Sequence, residues 1–153
     1  MAADYARPGW FTQRVFNPAV RWLTNHGVSL KGSRVLEVRG RKSGEPRQTA
    51  VNLLTLDGAT YLYAPRGLTE WVRNVRAAGG EAATILGKRR EEWTALEVTD
   101  PEEYVATARA YLKAWAWEVG AFFPKGISAT SSDADLLALA STKPAFRLTA
   151  RHV

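Results

Sequence analysis

Two hydrophobic periodicities divide the chain. Before residue 30 the apolar positions recur at helical spacing. Residues 10–16 form an amphipathic piece, and Asn17-Pro18 supplies an N-cap and a first-turn proline for a second helix that runs to His26 and stops at Gly27. From Arg34 the period shortens to that of strands. Residues 35–39 alternate, residues 48–56 are rich in β-formers, Asp57-Gly58 is a hairpin turn, and residues 60–64 return. Residues 69–78 read as a short helix ended by Gly79-Gly80, and residues 82–86 and 92–98 form a second hairpin turned at residues 87–90. Asp100-Pro101-Glu102-Glu103 is the clearest helix start: Asp100 caps, Pro101 sits in the first turn, and Glu103 can close a capping box. That helix reaches about Val119. Ser132 or Asp133 caps another through Ala140, and residues 145–150 make a last strand.

Strands joined by tight hairpins, with helices inserted between them, predict an α+β fold built on an antiparallel sheet or barrel. Neither a dinucleotide-binding glycine fingerprint nor a Walker loop is found, so a Rossmann or P-loop architecture is not expected. No repeat, low-complexity tract or linker interrupts the 153 residues. The expectation is one domain over residues 1–153, with residues 1–30 as a helical lid and residues 31–153 as the barrel with its helices.

Composition narrows the chemistry. There is no cysteine, which removes thiolate catalysis and iron–sulfur ligation and suits a reducing cytoplasm. Only His26 and His152 could offer imidazole ligands, at opposite ends of the chain, so no metal site is expected. No leader and no membrane-spanning run is seen, which implies a cytoplasmic protein. Residues 10–23 carry an apolar face with Arg14 and Arg21 nearby. That face suits a lid over the barrel mouth, or contact with the inner face of a membrane.

The net charge of +6 is unevenly spread. Six bases (Lys31, Arg34, Arg39, Arg41, Lys42, Arg47) face two acids between residues 31 and 47, and six face two again between residues 66 and 90. From Glu91 onward nine acids outnumber six bases. Such a field attracts an anion. The bases cluster at one turn and one helix while most aromatics lie elsewhere, which argues against a nucleic-acid surface.

Two stretches carry candidate chemistry. In Gly40-Arg41-Lys42-Ser43-Gly44-Glu45-Pro46-Arg47-Gln48-Thr49, the cations Arg41, Lys42 and Arg47 crowd one turn beside Ser43, Thr49 and free backbone donors, a set suited to phosphate. The same residues also describe a solvated hairpin tip. In Ala64-Pro65-Arg66-Gly67-Leu68-Thr69-Glu70-Trp71-Val72-Arg73-Asn74-Val75, a strand runs through a glycine loop into a helix. Trp71 could wall a flat ring and Asn74 could fix a polar edge, or both could be ordinary core and capping residues.

Taken together, GRKSGEPRQTAV followed by YAPRGLTEWVRNV resembles the deazaflavin-dependent nitroreductase family of split β-barrel, FMN-binding-like proteins. The resemblance covers about residues 34–98. The chain departs from the family pattern in a short loop at residues 68–70, in Asn52 and in Pro65. The resemblance implies the 8-hydroxy-5-deazaflavin coenzyme F420 as cofactor, with FMN as the alternative. It implies Arg41, Lys42, Ser43, Gly44 and Arg47 near the cofactor phosphate, and Thr49, Ala50, Val51 and Asn52 along the ring. Ala64, Pro65, Arg66 and Gly67, with Trp71 and Asn74, would complete the pocket. The implied activity is hydride transfer from reduced F420 to a quinone, an activated alkene or a nitro compound. A barrel of this kind could also bind such a ligand without turnover.

Tyr104, Tyr111, Trp115 and Trp117 lie on the long helix, and the first three share a face of it. The resemblance brings a tyrosine of this region towards the acceptor, and Tyr111 is the candidate catalytic contact. The alternative is an aromatic stripe that packs the helix onto the barrel. The partners expected are the cofactor and its hydride acceptor, in a monomer or weak dimer.

Overall fold

The structure is a computed structural model that describes residues 32–151. The helices expected before residue 30, and both histidines, lie outside the described residues. Six antiparallel strands close into a barrel: β1 (Ser33–Arg39), β2 (Pro46–Leu56), β3 (Ala59–Tyr63), β4 (Glu81–Leu86), β5 (Arg89–Glu97) and β6 (Ala145–Ala150), in the order β1-β2-β3-β6-β5-β4. Three α-helices lie between them among the described residues: α1 (Glu70–Ala77), α2 (Pro101–Val119) and α3 (Asp133–Leu137), with a 3-10 turn at Gly120–Phe122. The α+β barrel expected from the hairpin pattern is the observed fold.

The chain divides into two compact units. The first holds residues 32–53, Glu70–Ala95 and 149–151. Here β1 pairs with β2 from Ser33↔Asn52 to Arg39↔Pro46, and with β4 from Val35↔Ile85 to Glu37↔Ala83. Alternation puts Leu36 and Val38 inside, and α1 adds Val72 and Val75 to the same core. Trp93 donates its indole N–H to the buried Thr84 hydroxyl at 2.8 Å, so neither polar group is stranded. The β4–β5 hairpin turns on Gly87 and Lys88 alone, tighter than the four residues the sequence suggests, because Gly87 takes a φ of 61°.

Gly80 ends α1 by donating to Val75 O at 2.9 Å and accepting from Ala95 N at 2.7 Å. Its φ is 92°, and a Cβ there would stand 2.4 Å from Ala95 O. Only glycine permits that approach.

The second unit comprises Leu54–Thr69 and Leu96–Leu148. Asp57 and Gly58, with φ of 52° and 81°, turn β2 into β3 as a two-residue hairpin. β3 pairs with β6 from Thr60↔Leu148 to Tyr63↔Ala145. Asp100 caps α2 by accepting from Glu103 N at 2.8 Å. The reciprocal half of the expected capping box is absent, because the Glu103 carboxylate accepts from Tyr61 (2.8 Å) and Arg147 (2.6 Å) instead. Ser132 caps α3 by accepting from Asp135 N, and α3 stops at Leu137, short of the expected Ala140.

Tyr104, Tyr111 and Trp115 all face inward, as their spacing requires, and pack with Tyr63, Leu112, Phe123, Leu136 and Leu139 into one core. Trp115 leaves helical geometry (φ −131°, ψ 16°). Trp117, two residues on, is 73 % exposed. No helix among the described residues is long and apolar enough to cross a membrane.

Candidate functional site

The basic bend between β1 and β2 is a folded object. Gly40 N donates to Glu45 O (2.8 Å), Gly44 N donates to Gly40 O (2.9 Å), and Glu45 N donates to the Ser43 hydroxyl (3.1 Å). Gly44 supplies the turn's positive φ of 78°. Gly40 is glycine for a different reason: a Cβ there would meet Glu45 O at 3.1 Å and the Arg47 side chain at 3.3 Å. Arg47 therefore lies across the bend, as the spacing of the three cations suggests.

The bend is held by α1. Asn74 is 4 % exposed, and its Oδ1 accepts from Arg41 N at 3.1 Å and from Arg41 Nη1 at 2.8 Å. Glu70, one turn earlier, accepts from the same Nη1 at 2.9 Å. The Arg41 hydrogen bond, first among the causes, holds the Glu70 carboxyl below its ordinary value. Asn74 was expected to meet a ligand edge; here both of its Oδ1 bonds fix Arg41. Glu70 was not singled out by the sequence, although its place four residues before Asn74 puts both on one helix face.

The donors left over define what the bend can hold. Among the described residues, the Lys42 ammonium and the backbone N–H groups of Lys42 and Ser43 have no hydrogen-bond partner, and Lys42 and Ser43 are exposed. A cation beside two adjacent main-chain donors fits a phosphate group, so the residues present suit a phosphate-bearing cofactor. Thr49, Ala50, Val51 and Asn52 follow along β2, and Trp71 sits half-buried in the first turn of α1.

The remaining candidates belong to the second unit. Ala64 N donates to Pro144 O (2.9 Å), and Gly67 N donates back to Ala64 O (3.0 Å), so residues 64–67 form a tight loop. Pro65 is half-buried, Arg66 is exposed, and the Arg66 guanidinium lies 5.2 Å from the Phe122 ring centroid. Lys143 Nζ donates to Pro65 O (2.7 Å) and Phe122 O (2.9 Å), and burial pulls its ammonium below the usual lysine value.

Tyr111 is 3 % exposed, with ring centroids 5.0 Å from Tyr63 and 4.9 Å from Trp115. The hydroxyls of Tyr63 and Tyr104 are 2.9 Å apart, and Tyr104 donates to Lys143 O at 2.7 Å. Burial, the larger cause for each, pushes the Tyr63 phenol up strongly and that of Tyr104 up to about 12. Lys143 and the tyrosine pair escape sequence reading because their partners lie tens of residues away. No group of His, Asp or Glu among the described residues could hold a metal ion.

Comparison with known proteins bears on the fold and the family. A family model described as F420H(2)-dependent quinone reductase matches residues 10–119, well over half of the chain. No curated protein matches. Among solved structures, a protein of unknown function from Agrobacterium tumefaciens superposes with a TM-score of 0.56 at 20 % identity, covering 90 % of this chain and 57 % of that one. The chain thus spans little more than half the length of that relative. A conserved hypothetical protein from Mycobacterium tuberculosis gives 0.54 at 17 % identity, covering 89 % and 82 %. An F420-H2 dependent reductase gives 0.51 at 17 % identity, covering 78 % and 95 %. The three likenesses establish the split-barrel fold, and the family match goes further: the chain belongs to the F420H(2)-dependent quinone reductase family, reductases whose cofactor is F420.

Proposed function

We propose that this chain binds reduced F420 through the bend at residues 40–45 and passes its hydride to a quinone. The observation that carries the reading is the bend itself, pinned by Asn74 with Lys42 and two main-chain donors left open. Bound F420 supplies the hydride, and the protein's part is to bind, orient and desolvate. Lys42 and the N–H groups of Lys42 and Ser43 hold the phosphate. Arg41 and Arg47 add charge beside it. Residues 49–52 and Trp71 in the first unit, and the loop 64–67 in the second, are the further candidates for cofactor contact, and Tyr111 is the candidate for the acceptor. Activated alkenes and nitro compounds are further acceptors open to the same chemistry.

The test is a fluorescence titration of the protein with F420 and with FMN, followed by the absorbance of reduced F420 on mixing with menadione. Tight F420 binding, weaker FMN binding and loss of the reduced-cofactor signal are expected. Tight binding without turnover would instead make the barrel a carrier.

A further inference from the structure

The segment 142–144 touches the loop 64–67 at three points. Ala64 N donates to Pro144 O at 2.9 Å. Lys143 Nζ donates to Pro65 O at 2.7 Å. Gly67, with a φ of 88°, comes so close that a Cβ would stand 3.0 Å from Thr142 O. The same ammonium donates to Phe122 O at 2.9 Å and lies 5.1 Å from the Phe123 ring centroid. One side chain therefore ties a loop, a strand entrance and the 3-10 turn together. The anchor is itself held from behind, because the buried Tyr104 hydroxyl donates to Lys143 O at 2.7 Å.

Lysine suits this task for two reasons. An ammonium can satisfy two carbonyls at once, which no uncharged aliphatic side chain can do. It also brings a positive charge that no ion pair neutralises among the described residues. The loop it holds thus stays next to a positive charge that no carboxylate cancels, which favours an anionic ligand.

We infer that Lys143 is a positioning residue for cofactor binding: its ammonium clamps Pro65 O to Phe122 O and so fixes the loop 64–67 in its binding conformation. The inference rests on the proposed role of that loop in holding F420. Without the clamp the loop must be ordered when the cofactor arrives, and that cost appears as lost affinity. The step after binding is left unchanged, because Lys143 acts only through the loop.

The experiment compares wild type with Lys143→Met and Lys143→Arg. Two readouts are taken: F420 affinity by fluorescence, and amide hydrogen exchange without cofactor. Lys143→Met should weaken F420 binding by about 10-fold or more. It should raise KM for reduced F420 while leaving kcat at saturation nearly unchanged. Exchange should quicken at Gly67 and Thr69, whose N–H groups bond within the loop, but not along β3. Lys143→Arg keeps the charge and two donors and should restore most of both signals. If the methionine variant does not fold, Lys143→Gln takes its place, with an uncharged amide on a shorter stem.

Unchanged affinity in Lys143→Met, or equal loss in the methionine and arginine variants with exchange raised throughout, overturns the inference. Should wild type not bind F420 at all, the proposed function falls, and local exchange at Gly67 and Thr69 alone decides whether Lys143 sets the loop.

Discussion

The cationic bend and the aromatic face of α2 solve the problem of placing polar groups in opposite ways. In the bend, partners are near in sequence or on one short helix. Glycine backbone does the shaping, and unused donors face water. On α2, hydroxyls are buried among rings, and partners are as distant as Tyr63 and Tyr104 or Tyr104 and Lys143. A bend of the first kind can lose a charge without unfolding, since its donors are solvated when nothing is bound. A core of the second kind has less slack, because a buried polar atom without a partner costs about 1–3 kcal/mol, and the Trp115 indole N–H is already such an atom. The difference separates where affinity is tuned from where stability resides.

The largest expected effect tests whether backbone approach, rather than side-chain chemistry, sets stability in the first unit. Gly80→Ala places a Cβ 2.4 Å from Ala95 O at a φ of 92°. We expect a loss of roughly 3 kcal/mol or more in urea unfolding. Gly79→Ala, at a φ of 66° with nothing within 4 Å, pays only the conformational penalty, about 1 kcal/mol. Equal losses at the two positions would show that Ala95 relaxes freely.

Next comes the bend. Lys42→Glu removes a charge-assisted contact and adds repulsion, and should weaken F420 binding by about 100-fold. The midpoint of urea unfolding should not move, because Lys42 makes no hydrogen bond among the described residues. A loss of stability alongside affinity would erase the contrast with the α2 core.

The core then answers through pH. Tyr104 has its phenol raised by burial to about 12, against 10.0 for the free side chain. A raised folded pKa gives stability that is complete below pH 10 and is lost as pH climbs through the folded value. The Tyr104 share of that loss is about 3 kcal/mol. Tyr104→Phe should cut the alkaline slope of the unfolding midpoint, and Tyr63, raised by the same burial, should keep the remainder. An unaltered slope would place the alkaline transition elsewhere.

The two regions were not equally legible. Gly40, Gly44, Ser43 and the three cations are encoded within eight residues, so the bend could be read as a unit before any fold was known. The inward face of Tyr104, Tyr111 and Trp115 followed from helical spacing alone. What those rings meet did not. The hydroxyl contact of Tyr104 with Tyr63, and the grip of Lys143 on Pro65 O, exist only once β3, α2 and β6 are assembled. Asn74 was readable as a site residue, but not as the acceptor that pins Arg41. The Glu103 carboxylate illustrates the same limit, since the local capping pattern lost to Tyr61 and Arg147 across the sheet.

The smallest effect sharpens the role of Arg41. Its Nη1 is shared between Asn74 and Glu70, and Glu70 is 76 % exposed. A surface pair of this kind contributes little to stability. An incoming phosphate must nevertheless compete with that carboxylate for the guanidinium. Glu70→Gln weakens the competitor while keeping its size, so F420 binding should tighten by about 3-fold with stability unaltered. Acid should mimic the substitution. The Glu70 carboxyl is held below its ordinary value by Arg41, so any stability the pair gives is present above the usual carboxylate range and fades as pH falls through the lowered value. The gain in affinity from Glu70→Gln should therefore shrink at that acidic end, where wild type has lost the same charge. Raised salt should shrink it too, by screening an exposed pair. A gain that persists under both conditions would mean that Glu70 restrains the bend by shape rather than by charge.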